Sequence, residues 1–280
     1  MNVRRAAPGE GKTIARLLRE SVPMSLRELS IWSSRRACCY AEHCIERARD
    51  AAAPVFYLLI NGAEPAGVAE FRSLGGTAFL NHIGVSPRWR GQGLGRWLLR
   101  QAATDFLRRR PWPAISLDVD PKNHHAFDWY RRLGMTTQAE TFWHAGVLDP
   151  LARPEEAGVI AGWESAERTH QRFGFSRFRV VTPLGRHEVG RMGREWFRLG
   201  EDAWRDPGVP AALGRLDAAR RVLLIASRRL QELTAVHRTQ RLAAGAELFV
   251  NRLLCSATAS DGKVSCRQHQ LAGRFRRSCG

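Results

Sequence analysis

Apolar and polar positions alternate along this chain in short stretches separated by helical periods, and the pattern predicts strands and helices in mixed order. NVRRA at 2–6 predicts a short strand, and Ile14, Leu17 and Leu18 then share one face of a helix. Residues 24–50 read as one or two further helices. VFYLLI, then GVAEFR after the turn NGAEP, then TAFLNHIGV after the turn LGG, predict three successive strands with hairpin-sized connections. The period changes at Leu94, because Leu94, Leu98, Ala102 and Phe106 recur at helical steps until Pro111 stops the helix. Ile115, Leu117 and Val119 alternate with Ala114, Ser116 and Asp118, which is a strand. Ala126, Phe127, Tyr130 and Leu133 share the face of a helix capped by Gly134, and QAETFWHAGVL predicts one more strand.

The prolines and charges of DPLARPEE mark a linker, expected over 149–162, so the first unit is expected to span 1–148. A second unit over 163–254 again mixes strands and helices. SRFRVVTP and HEVGRMGREWFRL read as strands, PAALGRLDAA as a helix and RRVLLIAS as a buried strand. RRLQELTAVHRTQRL reads as a helix and AELFVNRLL as a last strand. Residues 255–280 are small, polar and basic without periodicity, and a disordered tail is expected there. The fold class is α/β (α+β): a mixed sheet flanked by helices, with a second, smaller α/β domain.

Composition narrows the function classes. With 280 residues, 44% apolar and 25% charged, the chain can bury a sizeable core. No apolar run approaches the roughly 18 residues of a membrane span. The N-terminus lacks an apolar segment followed by a small-residue cleavage site, so a cytoplasmic location is expected. The net charge of +17 suggests a polyanionic partner, but the charge is spread over both units, and only Lys12, Lys122 and Lys263 among the 44 basic residues are lysines. Such arginine bias also follows from a GC-rich genome, so nucleic acid is not the expected partner. Six cysteines are too few for a disulfide scaffold. Cys38, Cys39, His43 and Cys44, and the set Cys255, Cys266, His269 and Cys279, lack paired ligand spacing, so no metal site is expected. GEGKT is not a phosphate loop of the Walker type, since Ala6 stands where that motif needs its first glycine.

The segment IGVSPRWRGQGLGRWLL carries the chemistry. A strand ending at Ile83, Gly84 and Val85 leads through Pro87 to Arg90, Gly91, Gln92, Gly93, Leu94, Gly95 and Arg96, where a helix begins. Glycines let a ligand approach the backbone, and the unpaired N–H groups of a helix start suit a pyrophosphate; the same glycines can also serve a tight turn alone. The hairpin-linked strands before the loop distinguish it from a Rossmann fingerprint, which opens a parallel unit.

The loop from Arg90 to Gly95, the strand ISLDV, and Asn123, Ala126, Tyr130 and Gly134 in NHHAFDWYRRLGM together resemble the GNAT superfamily of acyl-CoA-dependent N-acyltransferases. Met135 stands where phenylalanine is common. The resemblance covers about residues 1 to 148. It implies a sheet splayed between its fourth and fifth strands, with acetyl-CoA in the split as acyl-donor cosubstrate. Backbone groups of Ile83, Gly84 and Val85 would hold the pantetheine and acyl carbonyl. The amides from Gly91 to Arg96 would hold the pyrophosphate, and Asn123 would contact the pantetheine arm. Tyr130 would protonate the leaving thiolate, since a phenol of pKa about 10 can donate to a thiolate whose thiol has pKa about 8.5 when both meet in a dry cleft.

Direct transfer needs a neutral amine, hence a proton acceptor. Asp118 matches the place where some relatives carry a catalytic glutamate, His82 adjoins the acyl-binding segment, and Glu70 lies in the neighbouring strand; each could equally face solvent or a structural partner. Trp32, Arg35, Arg36, Tyr40, His43, Phe142, Trp143 and His144 fall where acceptor pockets are shaped, or in the core. The resemblance thus predicts an N-acetyltransferase acting on a primary amine of a small molecule or protein, through a tetrahedral intermediate. The rival is a catalytically silent acyl-CoA-binding sensor. The second unit lacks the loop and the Asn-to-Tyr pattern and reads as a degenerate companion that walls the acceptor cleft.

Overall fold

The computed structural model describes residues 1–148 and 157–258. The proposed linker up to residue 156 and the tail beyond Thr258 lie outside the described residues.

The first half runs β1 (Asn2–Arg5), α1 (Gly11–Ser21), two 3-10 segments (Met24–Leu29 and Ile31–Ser33), α2 (Ala37–Glu46), β2 (Val55–Asn61), β3 (Glu64–Leu74), β4 (Thr77–Val85), α3 (Leu94–Arg109), β5 (Ala114–Val119), α4 (His124–Arg132) and β6 (Thr136–Val147). The second half runs β7 (Val159–Ala161), α5 (Trp163–Phe173), β8 (Phe175–Thr182), β9 (Gly185–Met192), β10 (Trp196–Gly200), α6 (Glu201–Arg205), α7 (Gly208–Asp217), β11 (Arg221–Ala226), β12 (Thr234–Gly245) and α8 (Ala246–Thr258).

Strands are buried on both faces where helices cover both. The α3 face takes Tyr57, Ala69, Phe71 and Leu80 against Leu98, Ala102 and Phe106. The α1–α2 face takes Phe56, Leu58 and Val68 against Ile14, Leu17, Leu18 and Trp32. The i, i+4 spacing of the α3 residues aligns their side chains along one stripe, as the periodicity predicts.

All twelve strands form one sheet, in the order β1-β2-β3-β4-β5-β12-β6-β11-β10-β9-β8-β7. The order contains an exchange. β12, from the end of the second half, inserts between β5 and β6, pairing Leu242 with Leu117 and Arg241 with Asp118. β6, from the end of the first half, pairs antiparallel with β11 of the second, from Val147 opposite Arg221 to Phe142 opposite Ala226. The two exchanged strands pair with each other at the centre.

Two expectations are corrected here. The segment read as a helix around TAVHRTQRL is the strand β12, and AELFVNRLL, read as a strand, lies in helix α8. Arginine, glutamine, leucine and alanine favour a helix locally, but β12 has a backbone ladder on each side, and tertiary pairing overrides that preference. In α8, Phe249 and Leu253 stand one helical turn apart and both are fully buried in the first half's core, together with Leu242. Residues 234–258 thus complete the sheet and core of the first unit, although chain order puts most of them with the companion. Residues 255–258, expected to lie in a disordered tail, belong instead to helix α8.

Packing across the chain order makes a prediction. Phe249→Ala should destabilise the protein by about 3–5 kcal/mol in urea denaturation. A chain ending at residue 233 should lose its cooperative transition; an unchanged transition would show that the first unit stands without β12 and α8.

Candidate active site

β4 and β5 pair in parallel at only three positions, Ala78 with Ile115, Phe79 with Ser116 and Leu80 with Leu117. The next residue of β4, Asn81, is the extra residue of a β-bulge against β3, because Phe71 faces Leu80 while Glu70 faces His82. A bulge bends its strand. From His82 to Val85, β4 stays with β3 but has no pairing to β5, while Asp118 and Val119 of β5 pair with β12 on the other side. The sheet therefore opens between β4 and β5, and Ile83, Gly84 and Val85 form one lip of the split. Gly84 is required there by packing: a Cβ would lie 2.4 Å from the Cβ of Ser21 at the end of α1.

At the end of β4, Arg90 Nε donates to the Val85 carbonyl at 2.9 Å and folds the loop against the strand. Gly91 and Gly93 have φ of 78° and 74°, the left-handed region that glycine adopts without strain. No atom lies within 4 Å of where a Cβ would stand on either residue, so the loop borders open space. Gly93 is the N-cap of α3, no side chain caps it, and the first turn holds no acidic residue. The N–H groups and positive dipole end of a 16-residue helix face this space, a setting that fits a pyrophosphate.

Asn123 caps α4, its Oδ1 accepting from the Ala126 N–H at 3.3 Å. That cap orients the helix on which Tyr130 is 5% exposed, stacked on Trp129 at 5.1 Å. Burial raises the phenol's pKa well above its ordinary value, so the hydroxyl keeps its proton.

The three candidate bases separate. Glu70 is fully buried and accepts from Arg72 Nη2 at 2.9 Å and Asn81 Nδ2 at 2.8 Å. His82 Nε2 lies 4.0 Å from the same carboxyl group, with its ring edge-on to Trp32 at 6.1 Å. Burial lowers the His82 pKa, Glu70 opposes that shift and Arg72 adds to it, so the imidazole is neutral near pH 7. Asp118 instead grips Arg241 of β12, with Nη2 to Oδ2 at 2.9 Å. That fork engages both carboxylate oxygens. Sequence reasoning did not see Asn81, Arg72 or Arg241 as partners; the bulge and the inserted strand that assemble them have no local signal.

Of the pocket candidates, Trp32 is buried beside Phe56 and His82. Tyr40 packs on Phe173 and Phe175 of the second half, and His43 on Phe173. Trp143 stands edge-on to His237. His144 is a core residue, its Nε2 accepting from the Leu230 N–H at 3.0 Å. Cys44 is buried while Cys39 is exposed, so the helical cluster is spread over α2, and no group of three or more histidine, cysteine or acidic side chains among the described residues could hold a metal. No helix of the described residues is long and apolar enough to cross a membrane.

The second half differs at the corresponding place. β10 and β11 stay paired through all five positions from Trp196 to Gly200, so no split opens. The residues after β10 are Glu201 and Asp202 in the first turn of a five-residue helix, where a pyrophosphate would be repelled.

A split sheet with a glycine cradle at a helix start has the geometry to seat a long phosphorylated ligand. Residues 23–135 match the model of the Acetyltransferase (GNAT) family. The whole chain is similar in fold to a tandem GNAT protein from the clavulanic acid biosynthesis pathway, with a TM-score of 0.59, 13% identity, and coverage of 88% of this chain and 98% of that one. It is similar also to a Pyrococcus horikoshii protein, with a TM-score of 0.60, 14% identity, and coverage of 87% and 89%. A GCN5-related N-acetyltransferase from Sphaerobacter thermophilus aligns with a TM-score of 0.54, 15% identity, and coverage of 88% and 95%. No curated protein matches the sequence.

The packing of Gly84 is testable. Gly84→Ala should cost about 1–3 kcal/mol of stability by overpacking against Ser21. Ser21→Gly in the same chain should recover most of that loss in thermal unfolding, because it removes the atoms that clash.

Proposed function

We propose that this protein is an N-acetyltransferase that moves the acetyl group of acetyl-CoA directly to a primary amine. The observation that carries the reading is the split between β4 and β5 leading to the open glycine cradle at the uncapped start of α3. Bound acetyl-CoA supplies the acyl group: the amine forms the new N–C bond as the thioester C–S bond breaks, yielding an amide and the CoA thiol.

The amides from Gly91 to Arg96 hold the pyrophosphate, and Asn123 contacts the pantetheine arm. The β4 lip, Ile83 to Val85, offers its backbone to the pantetheine and to the acyl carbonyl, with the Val85 N–H polarising that carbonyl; fixed donors aimed at developing charge need no reorganisation. Tyr130 gives its proton to the leaving thiolate. Burial keeps its hydroxyl protonated, so the proton is present to give. His82 takes the proton from the amine. Neutral imidazole can do this, and the buried Glu70 stabilises the charge it gains. Asp118 is the weaker candidate, since Arg241 already occupies it. The second unit, 163–254 in chain order, is a companion without acyl-CoA of its own, a reading supported by its unsplit strands and acidic helix start.

Calorimetric titration with acetyl-CoA tests the cradle. Gly93→Glu, which puts a carboxylate and a Cβ at a left-handed position, should weaken binding at least ~100-fold, and equal binding by both proteins would refute the pyrophosphate site. Tyr130→Phe should keep acetyl-CoA affinity and lose most thiol release with an active amine. If the wild type binds but turns over no amine, the silent sensor is the better reading.

The acid limb of kcat/KM should reflect His82 and lie below the ordinary histidine value of ~6.5, with activity lost as pH falls and the imidazole protonates. Glu70→Gln removes the contribution that raises this pKa and should move the limb to still lower pH. A limb that stays in place would remove His82 from the role.

A further inference from the structure

Trp196 and Arg198 of β10 face away from Phe197 and Leu199, which lie in the second half's core. Trp196 packs with Trp143, Leu223 and Ile225, and also with Leu29 and Ile31 from the first half's 3-10 segments. This face of the second half thus meets the first half's 3-10 segments. On it, the Arg198 guanidinium lies 5.8 Å over the Trp143 ring. Its field reaches Arg72, which pairs with the candidate base Glu70, and Asp118, itself a candidate base.

The charges on this face do not cancel. Arg72, Arg198 and Arg241 stand against Glu70 and Asp118, and both carboxyl groups are committed, Glu70 to Arg72 and Asn81 and Asp118 to Arg241. Arg198 is exposed and makes no ion pair among the described residues, its stabilising neighbour being the Trp143 ring. Desolvation, Arg177 and Arg72 lower its pKa and Asp118 opposes them. Arg177 is itself paired with Glu188.

We infer that the acceptor is an amine bearing a carboxylate, as an amino acid or short peptide does, and that Arg198 of the second half binds that carboxylate and sets specificity. The inference rests on the acetyltransfer reading above and adds its substrate class. A planar guanidinium offers parallel donors that match a carboxylate, and an aromatic face keeps that plane in place. A polyamine would bring a second ammonium to a face with an excess cation and be repelled. Because Arg198 comes from the companion half, the second unit would serve acceptor recognition although it holds no acyl-CoA.

The test uses the full chain, as wild type, Arg198→Gln and Arg198→Lys. Thiol release from acetyl-CoA is followed with the proteinogenic amino acids, their dipeptides, the corresponding C-terminal amides and spermidine, and acetyl-CoA affinity and unfolding temperature are measured on each protein. Acids should outperform their amides. Arg198→Gln should raise KM for the acid roughly 10–100-fold with kcat nearly unchanged, leave KM for the amide and acetyl-CoA affinity as they were, and be partly rescued by Arg198→Lys. Equal use of acids and amides, preference for spermidine, or a loss in Arg198→Gln that falls on both acid and amide would overturn the inference. So would a wild type that binds acetyl-CoA and uses none of these amines. A wild type that fails to bind acetyl-CoA would instead sink the acetyltransfer reading, and this inference with it.

Discussion

The antiparallel pairing of β6 with β12 joins the two halves of the protein, and the geometry of the site depends on it. β12 supplies the partner that β5 needs after it leaves β4, with Arg241 opposite Asp118 and Gln240 opposite Val119. A strand that parted from β4 with no neighbour on its other side would leave two rows of unpaired backbone groups, which buried structure tolerates poorly. With β12 in place, β5 can diverge while remaining hydrogen-bonded. The split is thereby a stable feature of the sheet, and residues from the end of the chain hold open a site built from its beginning.

The two halves differ at the corresponding place. In the first, a bulge at Asn81 bends β4 away and a glycine loop exposes the helix start. In the second, β10 stays with β11 and acidic residues begin the next helix. The bulge also brings Asn81, Glu70 and His82 together, since the extra residue lets consecutive side chains of β4 approach one buried carboxyl group. The bulge that opens the sheet thus also assembles the Glu70–Asn81–His82 cluster.

Electrostatics differs between the two ends of the candidate site. The start of α3 offers backbone N–H groups and a helix dipole, which favour anions. Arg72 and Arg241 are each engaged by a carboxyl group, whereas Arg198 makes no ion pair among the described residues and lies over Trp143. Burial adjusts protonation in opposite ways, keeping Tyr130 protonated and His82 neutral. That opposition is what a site needs if it must give one proton and take another near pH 7.

Much of the first half was legible in the residues alone. The alternation of Ile115, Leu117 and Val119, the helical steps from Leu94 to Phe106, and the glycines and Asn123 that open α3 and α4 are local patterns, so they determine their elements without further help. The sequence reading failed on β12 and α8, where helix-favouring residues form a strand because two ladders, one to β5 and one to β6, await it. Phe249 and Leu253 did carry a helical signal, which Val250 between them obscured. The commitment of Asp118 to Arg241, the approach of His82 to Glu70 and the place of Arg198 over Trp143 were decided only by tertiary structure. Each joins side chains through strand order and a bulge, which are properties of pairing between distant segments and leave no periodic trace in the chain.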